Sequence, residues 1–496
     1  MKLYPAQCGV SMEIIGRREE KRALASRLKS KEAEFIAVYG RRRVGKTCLI
    51  RHAIESSRCR SIEVTGLKDG NMSSQLELFT RAFAKAFDPI YPPAVPPGWL
   101  DAFEMLTKAI DQLAGKSPFV IFLDELPWLA TARSGLLQAL DHYWNTEWVN
   151  RSNVKLIVCG SAASWILDHI VNAKGGLHNR LTMTLLLKPF NLHETANYLK
   201  SRGVVMTSHQ VVEIYLAMGG IPFYLRSIEK GLSPAQIVDQ LCFTSTGLLY
   251  GEFDRLFSSL FQGANAYIEI VRAIAKHPQG LEQPALAKQL KLSTSGGTLS
   301  GRLAELEAAG FILSFLPYGR ERKGVTYRVI DEYTLFYFRW IEPVANRIKL
   351  SSHHSNYWQS KTQSSSWKSW SGYAFEAICY KHIDQIARAL RIDVGFEVGT
   401  WSYRPKSKEE KGVQIDLLLD RADGVIHLIE IKYSNKPYRI TKQYATQLGD
   451  KIDVFREKLA AKKAIYLTML TASGLLQNAY VDELVCNELT IDELFQ

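Results

Sequence analysis

The chain has 496 residues, 46% of them apolar and 23% charged, an ordinary globular balance that leaves material for sizeable cores in about two to four domains. Its formal net charge of +12 points to an anionic partner, nucleic acid before an acidic membrane surface, or to a basic surface kept for solubility. No apolar run approaches the length of a membrane span, and the N-terminus lacks a signal-peptide core.

Met12 is an alternative start that would leave a dispensable leader. Seven scattered cysteines form no CxxC and no zinc-like Cys/His spacing, a pattern that implies a reducing, cytosolic setting. Cys48 and Cys159, in or beside apolar segments, read as small packed hydrophobes.

Ile14–Glu20 (IIGRREE) precedes a helical pattern running to Lys31. Gly16-Arg17 there either packs against an adenine or simply opens a solvated helix. The apolar run Phe35–Tyr39 reads as a buried strand, and Gly40, Gly45, Lys46 and Thr47 then fit GxxxxGK[ST], with Arg41, Arg42, Arg43 and Val44 inside the loop and Cys48 just past it. Strand, glycine loop and helix start together make a phosphate cradle: loop N–H groups face phosphate and the helix N-terminus adds its positive end. Lys46 is expected to reach the β- and γ-phosphates, and Thr47 to ligate Mg²⁺.

Ser61–Thr65 reads as a short strand, Gln75–Phe87 and Leu100–Ala114 as helices, and the proline-rich Asp88–Gly98 as a loop. Phe119–Leu123 is a second buried strand, delivering Asp124 and Glu125 to its C-terminal edge. After a P-loop this acid pair has a definite chemistry: Asp124 holds Mg²⁺, and Glu125 polarises the attacking water. Lys155–Ser161 (KLIVCGS) is a third buried strand, whose Ser161 either senses the γ-phosphate or merely ends the strand. Thr182–Pro189 is a further strand-like run. Arg180, just before it, is either a solvated side chain or an arginine finger for a neighbouring subunit.

From Leu192 to Phe261 the spacing is helical, broken by a turn at Met218–Pro222, and reads as a lid over the nucleotide. Tyr267–Ala275, Gln283–Leu290 and Gly297–Ala309 are three helices, followed by strands Phe311–Phe315 and Val325–Val329 around a basic turn, Gly319–Gly324. This is a winged helix. It either reads DNA through its third helix and wing or docks protein, since Arg302 is accompanied there by Glu305 and Glu307. Lys349–Trp367, rich in Ser, His and Gln, reads as a linker; His353 and His354 within it are isolated and do not suggest a metal.

Trp370–Ala389 reads as a helix with Glu376 at the edge of its apolar stripe. Gly412–Asp420 and His427–Tyr433 are two strands with a turn at Asp423-Gly424, and a hairpin brings Asp416 beside Glu430. Alternation puts Asp416 on the face opposite Ile415 and Leu417, and Glu430 and Lys432 on one face with Leu428. Two carboxylates and a lysine in otherwise apolar strands are costly unless matched. Either a divalent metal sits on Asp416, Glu430 and the Ile431 carbonyl, with Lys432 beside a metal-bound water and Glu376 orienting the site, or the hairpin carries a buried ion pair. Arg439, Lys442, Gln443 and Gln447 beyond it are candidate phosphate contacts.

The first part, carried by Gly16-Arg17, YGRRRVGKT, LDELPWL, CGS at Cys159–Ser161, the Arg180 segment running into LKPF, and MGGIPFYL, resembles the archaeal-type ATPase family of the STAND/AAA+-like P-loop class over most of residues 12–340. The end resembles the PD-(D/E)xK nuclease-like domain often fused to such ATPases, matching at Asp416, Glu430 and Lys432 with Glu376 as the helix acid; Ile415 stands where that motif has proline. The resemblance implies an α/β chain: a P-loop ATPase core at 12–190, a helical lid at 191–263, a winged helix at 264–341, a linker at 342–368 and a restriction-endonuclease-like α/β domain at 369–496. It further implies a cytoplasmic, oligomeric, ATP- and Mg²⁺-dependent protein acting on nucleic acid, DNA ahead of RNA. The rival reading is an ATP-dependent switch or scaffold whose nuclease-like domain binds without cutting.

Overall fold

The computed structural model describes residues 14–496 apart from 92, 114–116, 173–176, 178, 293–296, 320–323, 351–355, 404, 406, 408–409 and 460–461. Met12, His353, His354 and the central part of the basic wing turn therefore lie outside the described residues. The chain divides into two compact units, Met1–Pro189 and Phe190–Gln496.

The first unit is built on a parallel sheet of β1 (Glu34–Tyr39), β2 (Arg60–Thr65), β3 (Phe119–Asp124), β4 (Val154–Gly160) and β5 (Met183–Leu186) in the order β2-β3-β4-β1-β5. Its three central strands are buried almost throughout and mostly apolar, as a parallel sheet covered on both faces requires. Their C-terminal ends lie together, so the loop after β1 and the acids after β3 meet at one edge. Lys155 is the charged intruder in β4. Its ammonium is fully buried and donates to the Ser30, Glu32 and Ser152 carbonyls, which accounts for its burial.

The second unit opens with helices from Leu192–Ser201 to Glu252–Leu260. Three further helices, Ala264–Ala275, Gln283–Gln289 and Gly297–Ala308, accompany an antiparallel sheet of β6 (Leu281–Glu282, between the first two helices), β7 (Ile312–Phe315) and β8 (Thr326–Val329) in the order β6-β8-β7. The helix Ser365–Lys381 leads into a mixed sheet ordered β13-β12-β11-β10-β9. There β9 (Phe396–Tyr403), β10 (Val413–Arg421) and β11 (Val425–Lys432) pair antiparallel, while β12 (Ala464–Thr471) and β13 (Asn487–Leu489) continue parallel to β11. The helix Lys442–Leu459 makes the crossover from β11 to β12.

One expectation is corrected. The serine-rich stretch up to Trp367 is not a plain linker: Trp358 and Trp367 are buried in an aromatic cluster with Phe336, Trp340 and Trp370, and Asp239 accepts the backbone N–H groups of Trp358 and Gln359. Polar composition suggested a loop, but aromatic burial outweighs it. The helix Gly297–Ala308 spends its charges internally. Arg302 stacks on Tyr267, Glu305 accepts from the Tyr267 hydroxyl at 2.6 Å, and Glu307 accepts from Ser314. Beyond β7, Tyr318 donates through its hydroxyl to Asp420 and through its backbone to Thr400, so this end of the wing is pinned to the mixed sheet.

His382 ties the first helix of this unit to the end of Ser365–Lys381. It is fully buried, its Nε2 accepts from the Leu192 N–H at 3.0 Å, and its Nδ1 lies 2.7 Å from the Ile378 carbonyl. This pattern needs the neutral ring with its proton on Nδ1. Burial pulls its pKa from 6.5 down to about 4. The unfolded chain then takes up a proton that the folded chain refuses between these values. This contribution is whole above pH 6.5 and is lost as pH falls toward 4, by about 3 kcal/mol in all. Denaturant unfolding of wild type and His382→Gln across this range should show a shallower acid loss in the variant; identical pH slopes would contradict the assignment.

Candidate functional site

The loop after β1 is shaped by its glycines. Gly40 has φ +139°, and a Cβ there would lie 2.4 Å from the Leu187 carbonyl oxygen, so only glycine lets this backbone pass. Gly45 (φ +97°) and Arg43 (φ +72°) complete the left-handed turn into the helix Lys46–Ser56. Strain of this kind at a non-glycine residue concentrates at binding loops. Lys46, only 6% exposed, donates to the carbonyls of Gly40 (2.9 Å) and Arg41 (3.0 Å), inside the loop it is expected to serve. Burial lowers its pKa, against neighbouring charges that include Glu125 and Asp124.

The two sequence motifs meet. Thr47 Oγ1 donates to Asp124 Oδ2 at 3.0 Å, across 77 residues of chain. Burial, reinforced by the charge of Glu125, raises the Asp124 pKa. Glu125 itself is left-handed (φ +48°), and its Oε2 accepts from both the N–H (3.0 Å) and the hydroxyl (2.9 Å) of Ser161. Ser161 thus holds the acid expected to polarise water. Arg41 and Val44 are buried, and Arg42 and Arg43 half-buried. Cys159 is buried as expected, but Cys48 is exposed, because its position on the helix turns it out of the core.

Arg17 does more than open a helix. Its guanidinium donates to the Lys188 carbonyl at 2.6 Å and lies 3.5 Å from the Val44 carbonyl, tying the P-loop to the segment after β5. Arg180 is exposed and precedes β5, whose first residue pairs with Ile36. It therefore stands toward the start of β1, away from the loop at the other end of that strand.

In the second unit the hairpin brings the predicted acids together. The register pairs Leu417 with Ile429, and Asp416 and Glu430 are 7% and 1% exposed. Asp416 Oδ2 accepts from the Ile431 N–H at 3.1 Å and lies 3.9 Å from Lys432 Nζ. Strict alternation fails in β10: its register with β9 shifts between Ile415 and Leu418, and those two side chains share one apolar cluster with Leu428 and Phe455. The irregularity, not the alternation, sets where Asp416 points.

Glu430 is met by three partners: Lys451 (2.5 Å) on one oxygen, and the Tyr444 hydroxyl (3.0 Å) and Lys432 (3.4 Å) on the other. Lys451 and Tyr444 were not legible as site residues. The signal for them was the spacing 444, 448, 451, 455, in which Leu448 and Phe455 are core. Arg439, Lys442, Gln443 and Gln447, the expected phosphate contacts, are exposed. Arg328 of β8 was also missed; it hydrogen-bonds the Tyr380 hydroxyl and stands 4.0 Å from Glu376. Tyr380 in turn donates to the Asp416 carbonyl at 2.9 Å.

Burial, with Asp416 next, pushes the Glu376 pKa up to about 8, and burial with Glu430 raises Asp416. Burial pulls Lys432 down, but Glu430 and Asp416 outweigh it and hold it above its ordinary value.

Both sites offer oxygen donors to a divalent cation. Thr47 and Asp124 offer a hydroxyl and a carboxylate already in contact, oxygen donors that suit Mg²⁺. Burial and the neighbouring Glu430 charge raise the proton affinity of Asp416, a repulsion a cation would relieve. Among the described residues, however, no three acids, histidines or cysteines are grouped to hold a metal, so that set is two carboxylates at most, with backbone oxygen and water to complete it.

Comparison with known proteins follows this geometry. Residues 15–228 match a family described as an ATPase domain predominantly from Archaea. This ATPase-type segment carries the whole P-loop edge. An uncharacterized protein of Methanocaldococcus jannaschii is 26% identical over 441 residues, 87% of this chain and 90% of the relative. Solved structures similar to this chain include a Walker-type ATPase of Pyrococcus abyssi (19% identity, TM-score 0.48, 66% of this chain and 96% of that one). The ORC2 protein of Aeropyrum pernix is also similar (15% identity, TM-score 0.43, 70% and 98%). Among the described residues no helix is long and apolar enough to cross a membrane.

The close passage at Leu187 yields a direct test of the ATPase-type loop. Gly40→Ala should weaken binding of a fluorescent ATP analogue by about tenfold or more, since the backbone must move to admit the methyl group. Unchanged affinity would show that the loop does not cradle the nucleotide.

Proposed function

We propose that the first unit binds and hydrolyses ATP with Mg²⁺ and that this controls a metal-dependent nuclease centred on Asp416, Glu430 and Lys432. The observation that carries the ATPase half is the Thr47–Asp124 hydrogen bond beside the buried Lys46, which joins two distant motifs into one oxygen-lined corner. Lys46 would exchange the Gly40 and Arg41 carbonyls for phosphate oxygens, and Thr47 and Asp124 would hold the cation. Glu125, released from Ser161, orients the attacking water and takes its proton. Arg180 of a neighbouring copy supplies charge to the phosphate in a homo-oligomer. The position of Arg180, away from its own loop, supports a role in trans.

For the second unit, Asp416, Glu430 and the Ile431 carbonyl would hold the cation, which when bound supplies an activated water and neutralises developing charge on the phosphate. Lys432, held in its charged form by Glu430 and Asp416, would orient that water and offset charge on the phosphate, and Glu376 would orient the site from its helix. The substrate is nucleic acid, DNA ahead of RNA, and the net charge of +12 supports an anionic partner of that size.

A second reading has its own observation. Both Glu430 oxygens are matched by Lys451, Tyr444 and Lys432, so the acids can stand as an ion-paired core without metal. The chain is then an ATP-dependent switch or scaffold.

Cleavage of single- and double-stranded DNA and RNA separates the two, measured with Mg²⁺ or Mn²⁺, with and without ATP. Asp416→Ala should lose all cleavage while retaining ATP turnover, and Lys46→Ala should lose nucleotide binding. No cleavage by wild type beside intact turnover would move the second unit to the switch reading; tight ATP binding by Lys46→Ala would sink the P-loop assignment.

A further inference from the structure

Outside both sites, the second unit contains a cavity of about 1010 Å³ between the first helix of the winged helix, the segment around Phe338 and the start of the helix Ser365–Lys381. Its charge is lopsided. Arg272, Lys276 and Arg339 line it, against the single acid Glu342. Arg272 is already held by Glu269 (3.0 Å) and Glu342 (2.6 Å), leaving its Nε buried without a partner. Lys276 and Arg339 are exposed and make no ion pair among the described residues. Opposite them stand the hydroxyls of Ser365, Ser366 and Ser369, all exposed.

Cations and hydroxyls account for phosphate; the remaining walls account for bases. Phe338 carries the Arg272 guanidinium on its face at 5.2 Å, and Trp370 and Tyr373 form the wall along the helix. Aromatic walls beside phosphate-binding cations are the arrangement by which unpaired strands are held without sequence preference. The volume is at the top of the range for small-molecule sites, more than one nucleotide needs. The helix also gives the cavity a direction. Ser369, Tyr373, Glu376 and Tyr380 recur at helical spacing along one side of Ser365–Lys381. Seven residues of helix place Glu376 about 10 Å from Ser369.

We propose that this cavity is a binding site for single-stranded nucleic acid, with Lys276, Arg339 and the serine hydroxyls on the phosphates and the accessible part of half-buried Phe338 beside the bases, leading the strand along the helix toward Glu376 and Asp416. The proposal deepens the nuclease reading, but binding is independent of cutting. It is therefore measured by fluorescence anisotropy on full-length Asp416→Ala protein, with labelled single-stranded DNA and RNA over a salt series.

Lys276→Glu with Arg339→Glu should weaken strand binding at least about tenfold and flatten the salt dependence by about 1.4 log units per log salt, two phosphate contacts' worth. Lys288→Glu with Lys291→Glu, the same charge change elsewhere on the winged helix, should leave it within about twofold. The proposal is overturned if the parent binds no strand, if both pairs weaken binding alike, or if a free mononucleotide displaces the strand at matched nucleotide concentration. Failed cleavage by the wild-type chain with intact, cavity-dependent binding would remove the nuclease reading alone.

Discussion

Charge removed from water must be matched inside the protein, and both sites of this chain are organised by that constraint. Lys46, Asp124, Asp416 and Glu430 are all nearly buried, and each is met by a polar partner, Lys46 within its own loop and the acids from distant positions in the chain. At the P-loop edge the partners are neutral or oppositely placed oxygens: two loop carbonyls for Lys46 and a hydroxyl for Asp124. These are contacts that phosphate and a cation can replace at little cost. In the second unit Lys451 and Lys432 meet Glu430, so the acids are already paired.

The second unit also shows how the elements downstream of the P-loop domain are fused. The neutral imidazole of His382 joins Leu192 to Ile378, Arg328 of the wing sheet reaches Tyr380 beside Glu376, and Tyr318 holds Asp420. The helix Gly297–Ala308 spends its charges on its own neighbours, and the segment after β7 is pinned to the mixed sheet through Tyr318. That shifts the search for nucleic acid away from the usual recognition helix and toward the cavity lined by Lys276 and Arg339.

Much of this was legible in the sequence because it depends on local pattern. The apolar runs of β1, β3 and β4, the glycines at 40 and 45, and the acids at 124, 416 and 430 each carry their signal within a few residues. What was not legible depends on side chains from distant segments. Tyr444 and Lys451 lie on an amphipathic helix where their neighbours gave only core spacing, and Arg328 sits in a strand with no motif. Trp358 and Trp367 were hidden by serine and glutamine, since composition reports solubility while burial follows the largest apolar surface. The β10 irregularity near Asp416 has no sequence mark, because alternation assumes a regular ladder.

The central claim is that the hydrogen bonds at the P-loop edge stand where phosphate and Mg²⁺ will be. A crystal structure with Mn²⁺ and a non-hydrolysable ATP analogue tests it directly. The account predicts anomalous density beside Thr47 and Asp124, with Lys46 moved from the Gly40 and Arg41 carbonyls onto phosphate oxygens. Nucleotide bound elsewhere, with Lys46 still on those carbonyls and no density at Thr47, would contradict it.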